Sequence, residues 1–160
     1  MKGNDGTGNI EERDNWQTPQ WLFDKLNKQY RFTQDCCADE KNTKCDIWCD
    51  NFLDFKNFFK SDVCWMNPPF SKALHMFDHF FNNTPRGICI YRCDNFETKI
   101  WQEVIFPNAC WVFIPNKRIA YEGMEGSGAR FPSALIGFNV EPPKEIEGKI
   151  LLIHNVKNGQ

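Results

Sequence analysis

Apolar residues recur every three to four positions in three stretches of the chain, and each stretch predicts a helix with one buried face. The first helix is predicted to begin at Thr18-Pro19, a hydroxyl cap followed by proline in the first helical position. Ser71 can cap the second helix. Asp94 or Asn95 can cap the third, which Pro107 would stop. The expected buried positions are, in order, Leu22, Leu26 and Tyr30; Leu74, Phe77 and Phe81; and Ile100, Trp101, Val104 and Ile105.

Short apolar runs between these helices predict strands. The clearest run, at 63–66, ends abruptly in Asn67-Pro68-Pro69-Phe70. Other strands are predicted at 31–37, 88–91, 109–114 and 133–140, with weaker candidates near 46–49 and at 149–154, and a short helix near 55–60. Strands alternate with helices until strands alone follow. The pattern therefore predicts an α/β fold with a mixed, mostly parallel sheet, helices on both faces and an antiparallel C-terminal hairpin.

Length and charge narrow the choice of function. With 160 residues the chain is expected to form one domain over 14–160, preceded by a polar, mobile tail at 1–13. No apolar run is long enough to span a membrane, and the N-terminus does not resemble a signal peptide, so a cytoplasmic protein is expected. The net charge of −2 argues against a protein that coats nucleic acid, so any contact with DNA must be a local patch.

Eight cysteines need an explanation. Without a secretory signal disulfides are not expected, and no CxxC pair is present. Four of the cysteines, at 36, 37, 45 and 49, leave a zinc site as a minor alternative, but buried free thiols are the preferred interpretation and no metal is predicted. His75 and His79 lie four residues apart on one predicted helix, without the pattern of a metalloprotease, and are interpreted as surface or hydrogen-bonded residues.

The segment Asn67-Pro68-Pro69-Phe70 carries the clearest chemical signal. It follows a buried strand, and ligands of open α/β sheets bind beyond the carboxyl ends of the strands. Two prolines donate no backbone hydrogen bond and stiffen the turn. An amide oxygen, a free carbonyl and an aromatic ring together can receive a planar group that bears an amino group.

This segment resembles the (D/N/S)-PP-(Y/F) motif of methyltransferases that use S-adenosylmethionine on the amino groups of adenine or cytosine. Three further segments are similar to the short, phage-type (Dam-like) DNA N6-adenine methyltransferases: 16–19 (WQTP), 35–38 (DCCA) and 131–135 (FPSAL). The resemblance covers roughly residues 14–140. It implies a Rossmann-like fold, S-adenosylmethionine as cofactor, double-stranded DNA as partner, and methyl transfer to a flipped adenine at a specific site.

The resemblance also implies roles for individual residues. Phe70 would stack on the flipped base, while the Asn67 side-chain oxygen and the Pro68 carbonyl would accept the N6 hydrogens, with Pro69 completing the catalytic motif. Asp35 would approach the methionine amine, in a loop without the glycines usual for this architecture, and Asp50 the adenosine end. The complete set of expected cofactor-binding residues is Trp16, Thr18, Pro19, Asp35, Ala38 and Asp50.

Contact with DNA is expected near the Gly-rich loop 122–128, which is flanked by Lys117, Arg118 and Arg130. Several alternatives remain open at this stage. The same motif could act on cytosine N4, on RNA adenine or on a glutamine amide, because it recognises an amino group rather than its ring. A catalytically inactive methyltransferase fold that binds DNA or a protein is a further alternative. The recognition sequence and the oligomeric state do not follow from the sequence.

Overall fold

A seven-stranded sheet forms the centre of the molecule in a computed structural model, which describes residues 14, 16–122 and 131–156. The expected tail at 1–13 lies outside the described residues. The strands are β1 (Gln34–Asp35), β2 (Ile47–Trp48), β3 (Cys64–Met66), β4 (Gly87–Arg92), β5 (Trp111–Pro115), β6 (Ser133–Phe138) and β7 (Gly148–Leu152). Every predicted strand is therefore confirmed, although β1 is shorter than the 31–37 expected.

The order of the strands in the sheet is β2-β1-β3-β4-β6-β5-β7. The first four strands pair in parallel, whereas β6 is antiparallel to both β4 and β5, and β7 is antiparallel to β5. This arrangement confirms the mixed α/β sheet with an antiparallel C-terminal portion. Because β2 and β3 lie on opposite sides of β1, the direction of winding reverses there, and such a switch point opens a crevice at the carboxyl ends of the strands.

Helices cover both faces of the sheet. The helix α1 (Gln20–Tyr30) buries Leu22 and Leu26 on the face that carries Trp65. The helix α2 (Ala73–Asn83) buries apolar residues on the opposite face, beside Cys64 and Met66. Alternate residues of β3 thus enter two separate cores, as the pleat of a strand requires. Two short 3-10 helices, Phe52–Asp54 and Phe70–Lys72, complete the parallel half.

The expected helix caps are wrong, and the contacts that replace them explain why. Pro19 is the N-cap of α1, and the Gln20 N–H donates to the Glu122 carboxylate at 2.8 Å. Ser71 lies one residue before Lys72, the N-cap of α2, and donates to Asp14 from both its backbone N–H and its hydroxyl. In both cases the partner is far away in sequence, so the local pattern could not indicate it.

The third predicted helix is present in a modified form. A π-helical segment, Ile100–Ile105, continues into the short helix α3 (Phe106–Asn108), so Pro107 lies inside the last turn instead of ending the helix. Asp94 does not cap this helix but forms an ion pair with Arg92. The helix expected near 55–60 is also wrong, since the helical turn lies earlier, at Phe52–Asp54.

All eight cysteines are free. In the part of the chain that the structure describes, no group of three or more His, Cys, Asp or Glu side chains is arranged to hold a metal ion. Over the same residues, no helix combines the length and the apolar character needed to cross a membrane.

Candidate active site

A cleft of about 260 Å³, here called the main cleft, opens at the carboxyl ends of β1 and β3. It lies where the winding of the sheet reverses. Five of the six residues expected to bind a cofactor line it, together with two residues of the proline motif. These residues are Trp16, Thr18, Asp35, Ala38, Asp50, Asn67 and Pro69. Pro19, the sixth, is buried as the N-cap of α1 and is not among the lining residues.

Asp35 is a buried acid in the wall of the main cleft. It ends β1 and is only 3% exposed, and its two carboxylate oxygens accept the backbone N–H groups of Cys37 (3.3 Å) and Lys44 (3.0 Å). Burial raises the pKa of Asp35 from 3.8 to about 6, although these two N–H groups and the Lys44 charge act in the opposite direction. A buried carboxylate with spare acceptor sites is a suitable partner for a cationic ligand.

Side chains shape the loop after β1, where related architectures use glycine. The Asp39 carboxylate accepts the backbone N–H groups of Lys41 (2.8 Å) and Asn42 (3.0 Å), and the Asn42 side chain accepts the Asp39 N–H in return. The Ala38 N–H donates to the Cys49 carbonyl at 3.1 Å, which ties the loop to the residue after β2. The loop therefore follows a defined path without the conformational freedom of glycine.

The four motif residues divide between two cavities. Asn67 and Pro69 line the main cleft, whereas Phe70 lines a second cavity of about 370 Å³, here called the side cavity. Pro68 is buried between them and is not among the lining residues of either. The stiff turn thus presents an amide to one side and an aromatic ring to the other. Lys72 lines both cavities.

The Asn67 amide contacts the segment that leads into α1. Its Nδ2 donates to the Trp16 carbonyl and to the Thr18 hydroxyl, each at 3.2 Å. The Thr18 hydroxyl therefore accepts a hydrogen bond from the motif asparagine instead of capping α1. This contact joins two of the segments that carry the family resemblance.

Aromatic rings surround Phe70. Trp16, Tyr91 and Phe131 each meet it at a steep angle, with ring centroids 5.5 to 5.8 Å apart. The guanidinium of Arg92 lies over the Phe131 ring, 4.8 Å from its centroid, and forms two hydrogen bonds to Asp94. Edge-to-face packing of this kind fixes the ring of Phe70 in place.

Lys44 and Glu122 link the walls of the main cleft. The Lys44 ammonium lies 3.9 Å from the Glu122 carboxylate and donates to the Gln20 side chain at 2.9 Å. Gln17 and Glu122 also pair through two backbone hydrogen bonds of 2.9 Å. The segment before α1 is thereby held on one side by residue 122 and on the other by the proline motif.

Two of the three residues expected to contact DNA lie in the part of the chain that the structure describes. Lys117 and Arg118 are exposed and are not among the residues that line either cavity. Arg130 and most of the Gly-rich loop lie outside the described residues. Lys72 and Lys99 line the side cavity, and neither was identified from the sequence because isolated lysines carry no pattern. The sequence also did not identify Asp14, Lys44 and Arg92, because each is an isolated charged residue that belongs to no motif.

Three cysteines, Cys36, Cys37 and Cys49, line the main cleft. Burial raises the pKa of the Cys36 and Cys37 thiols well above the usual value, and that of Cys49 to about 11. At neutral pH these groups are thiols rather than thiolates, so they serve as small apolar wall residues and not as nucleophiles.

The comparison with family models fits this geometry. The model of the DNA N-6-adenine-methyltransferase (Dam) family matches residues 6–121, well over half of the chain. The chain belongs to this family. The match includes all the described residues that line the main cleft and the side cavity, and it confirms the resemblance inferred from the proline motif. None of the curated proteins that were compared matches the chain. As its family name states, the Dam family acts on DNA at N6 of adenine.

Proposed function

We propose that this Dam family member transfers a methyl group from S-adenosylmethionine to N6 of an adenine flipped out of double-stranded DNA, at a specific site. One observation carries the proposal: the proline motif separates two adjoining cavities and contributes to both. A cofactor in the main cleft and a base in the side cavity would meet at Asn67-Pro68-Pro69-Phe70.

Two features of the main cleft support the choice of cofactor. Asp35 offers a buried carboxylate for the ammonium of the methionine portion, and Asp50 offers an exposed carboxylate that can accept hydrogen bonds from ribose hydroxyls. Ala38 and Trp16 contribute apolar wall between them. When bound, S-adenosylmethionine supplies an electrophilic methyl group on a sulfonium sulfur.

The motif prepares the amino group for attack. The lone pair of an adenine amino group is conjugated with the ring, so it is a weak nucleophile. Asn67 Oδ1 and the Pro68 carbonyl would each accept one N6 hydrogen, which draws the lone pair out of conjugation and directs it toward the methyl donor. Position and electrostatics then carry the reaction, without a covalent intermediate on the enzyme. The proton released from N6 can leave to water, so no strong base is required.

The side cavity has the composition expected of a base-binding site. Phe70 and Tyr91 provide aromatic wall, and flipped bases stack on such rings. Lys72, Thr98 and Lys99 are among its other lining residues, beside apolar ones such as Leu74 and Ile100. The three polar residues can bind the phosphates on either side of a flipped nucleotide.

Product analysis tests the proposal. Purified protein is incubated with S-adenosylmethionine and unmethylated plasmid DNA, which is then digested to nucleosides and analysed by mass spectrometry. N6-methyladenine is expected, and sequencing for modified bases should place it in one short sequence. The Asn67→Ala variant, which lacks the amide, should give no product while still binding the cofactor. N4-methylcytosine alone, or no modified base from the unaltered protein, would overturn the assignment.

A further inference from the structure

The orientation of the Asn67 amide is determined by the segment before α1. Its Nδ2 lies 3.2 Å from the Trp16 carbonyl oxygen. A carbonyl oxygen can only accept a hydrogen bond, so the nitrogen end of the amide must face it. The oxygen end then points the other way. Among residues 14, 16–122 and 131–156, no group donates a hydrogen bond to Asn67 Oδ1.

Thr18 provides the second contact that holds this orientation. Its hydroxyl oxygen accepts the other Nδ2 hydrogen at 3.2 Å. Thr18 is 2% exposed and forms no cap on α1, so its hydroxyl serves Asn67 instead of the helix. With both hydrogens of the amide occupied, rotation of the side chain would break two hydrogen bonds at once.

The segment that supplies these acceptors is itself firmly held. Gln17, between them, pairs with Glu122 through two backbone hydrogen bonds. The Trp16 ring packs against Phe131 and Phe70, with centroids 5.7 and 5.8 Å away. A rigid pair of acceptors is what a defined amide orientation requires, since functional side chains depend on supporting contacts for their geometry.

We propose that Thr18, together with the Trp16 carbonyl, is a positioning residue that keeps Asn67 Oδ1 directed at the amino group to be methylated. This inference rests on the proposed function and extends it to a residue that the sequence assigned to the cofactor. If the amide turned over, its NH₂ would face the NH₂ of the base. Two donors would then oppose each other, and the lone pair would not be drawn toward the methyl donor.

Kinetics of three Thr18 variants test the inference. Thr18→Val preserves the shape and removes the hydroxyl, Thr18→Ser preserves the hydroxyl, and Thr18→Ala removes both. Loss of one hydrogen bond that orients the amide should lower kcat about tenfold in Thr18→Val. The KM for S-adenosylmethionine and the KM for DNA should stay within about twofold, because Thr18 acts through Asn67. Thr18→Ser should recover most of kcat.

The matched control is Thr84→Val. Thr84 is also buried, at 6% exposed, and its hydroxyl donates to the Phe80 carbonyl at 2.7 Å, at the end of α2. Its loss should lower the Tm without changing kcat. Should Thr18→Val fail to fold, as judged by its Tm, the comparison of Thr18→Ala with Thr18→Ser carries the test.

A second readout does not depend on activity. In ¹⁵N–¹H spectra, the side-chain amide of Asn67, assigned by its absence in Asn67→Asp, should exchange slowly with water in the unaltered protein and faster in Thr18→Val. Three results would overturn the inference: an unchanged kcat in Thr18→Val, a raised KM for S-adenosylmethionine at constant kcat, or equal losses in Thr18→Val and Thr18→Ser. If instead the unaltered protein makes no N6-methyladenine, the proposed function fails, whereas the amide exchange still tests the contact.

Discussion

The charge of Asp35 is expected to increase the affinity for a ligand and to lower the stability of the ligand-free protein. Replacing Asp35 with asparagine removes the charge, so that each effect can be measured by itself. Asp35 is almost fully buried at the end of β1, and burial raises its pKa from 3.8 to about 6. The folded chain therefore holds the Asp35 proton more tightly than the unfolded chain does. The resulting stability is fully present below pH 3.8 and is lost as the pH rises through about 6.

The pKa difference corresponds to about 3 kcal/mol between the two ends of this pH range. Asparagine carries no charge at any of these pH values, but it has one acceptor oxygen instead of two. It can therefore accept only one of the N–H groups of Cys37 and Lys44, a loss of about 1 kcal/mol. Asp35→Asn should thus be more stable than the unaltered protein by about 2 kcal/mol above pH 7 and less stable by about 1 kcal/mol below pH 4.

Urea unfolding of both proteins at a series of pH values measures this difference directly. Groups that titrate elsewhere affect both proteins equally, so the difference between them isolates Asp35. The exposed Asp24→Asn, on α1, is the control for the loss of a carboxylate that is not buried. If Asp35→Asn is less stable by the same amount at pH 8 as at pH 4, the reasoning from burial is refuted.

The same variant tests the role of Asp35 in cofactor binding. Calorimetric titration with S-adenosylmethionine at pH 7.5 should show a Kd at least tenfold weaker for Asp35→Asn, because the ammonium loses its ionic partner. In the unaltered protein the Kd should rise as the pH falls below about 6, where Asp35 becomes protonated. An unchanged Kd in the variant would remove Asp35 from the cofactor site.

Three further predictions concern the walls of the two cavities. Asn67→Asp should methylate at least tenfold more slowly at pH 8, because a carboxylate would face the Trp16 carbonyl; equal rates of N6-methyladenine formation would contradict this. Lys72→Gln should weaken DNA binding in titrations and lower its salt dependence by about one ion, and a larger loss in Lys117→Gln would place the DNA on the other side. Peptide mapping after iodoacetamide treatment at pH 7.5 should show Cys49 reacting about 100-fold more slowly than a free cysteine, since burial raises its pKa from 9.0 to about 11; reaction at the free rate would show that this pKa is not raised.

The sequence predicted the strands better than it predicted the contacts of the site. Buried strands such as β3 are continuous apolar runs, and their pattern is local, so they could be read directly. The proline motif was identifiable for the same reason, since it follows β3 immediately. The helix cap predicted at Thr18 is wrong because a threonine before a proline has the pattern of a cap, and only the folded chain shows that its hydroxyl accepts a hydrogen bond from Asn67.

The side cavity could not have been predicted at all. It is lined by residues of the motif turn, of the first turn of α2, of β4 and of the segment that leads into the π-helical turn. The last two meet the motif only because β3 and β4 are neighbours in the sheet. Lys72 and Lys99 carry no pattern of their own along the chain. A single sequence shows which residues have useful chemistry, but their distances depend on the strand order, which is a property of the whole chain.

The loop after β1 lacks the glycines that are usual for this architecture, and the structure shows how the backbone turns without them. Glycine in such a loop serves to let the backbone turn tightly and approach a ligand closely. Here the Asp39 carboxylate stabilises the turn by accepting two backbone N–H groups. The Asp35 carboxylate fixes the position of the loop by accepting two more. Asp35 thus has two tasks, to shape the loop and to present a charge to the cleft. For this reason Asp35→Asn is the sharper test of the site than any substitution in the loop itself, since it preserves one of the supporting contacts and removes the charge.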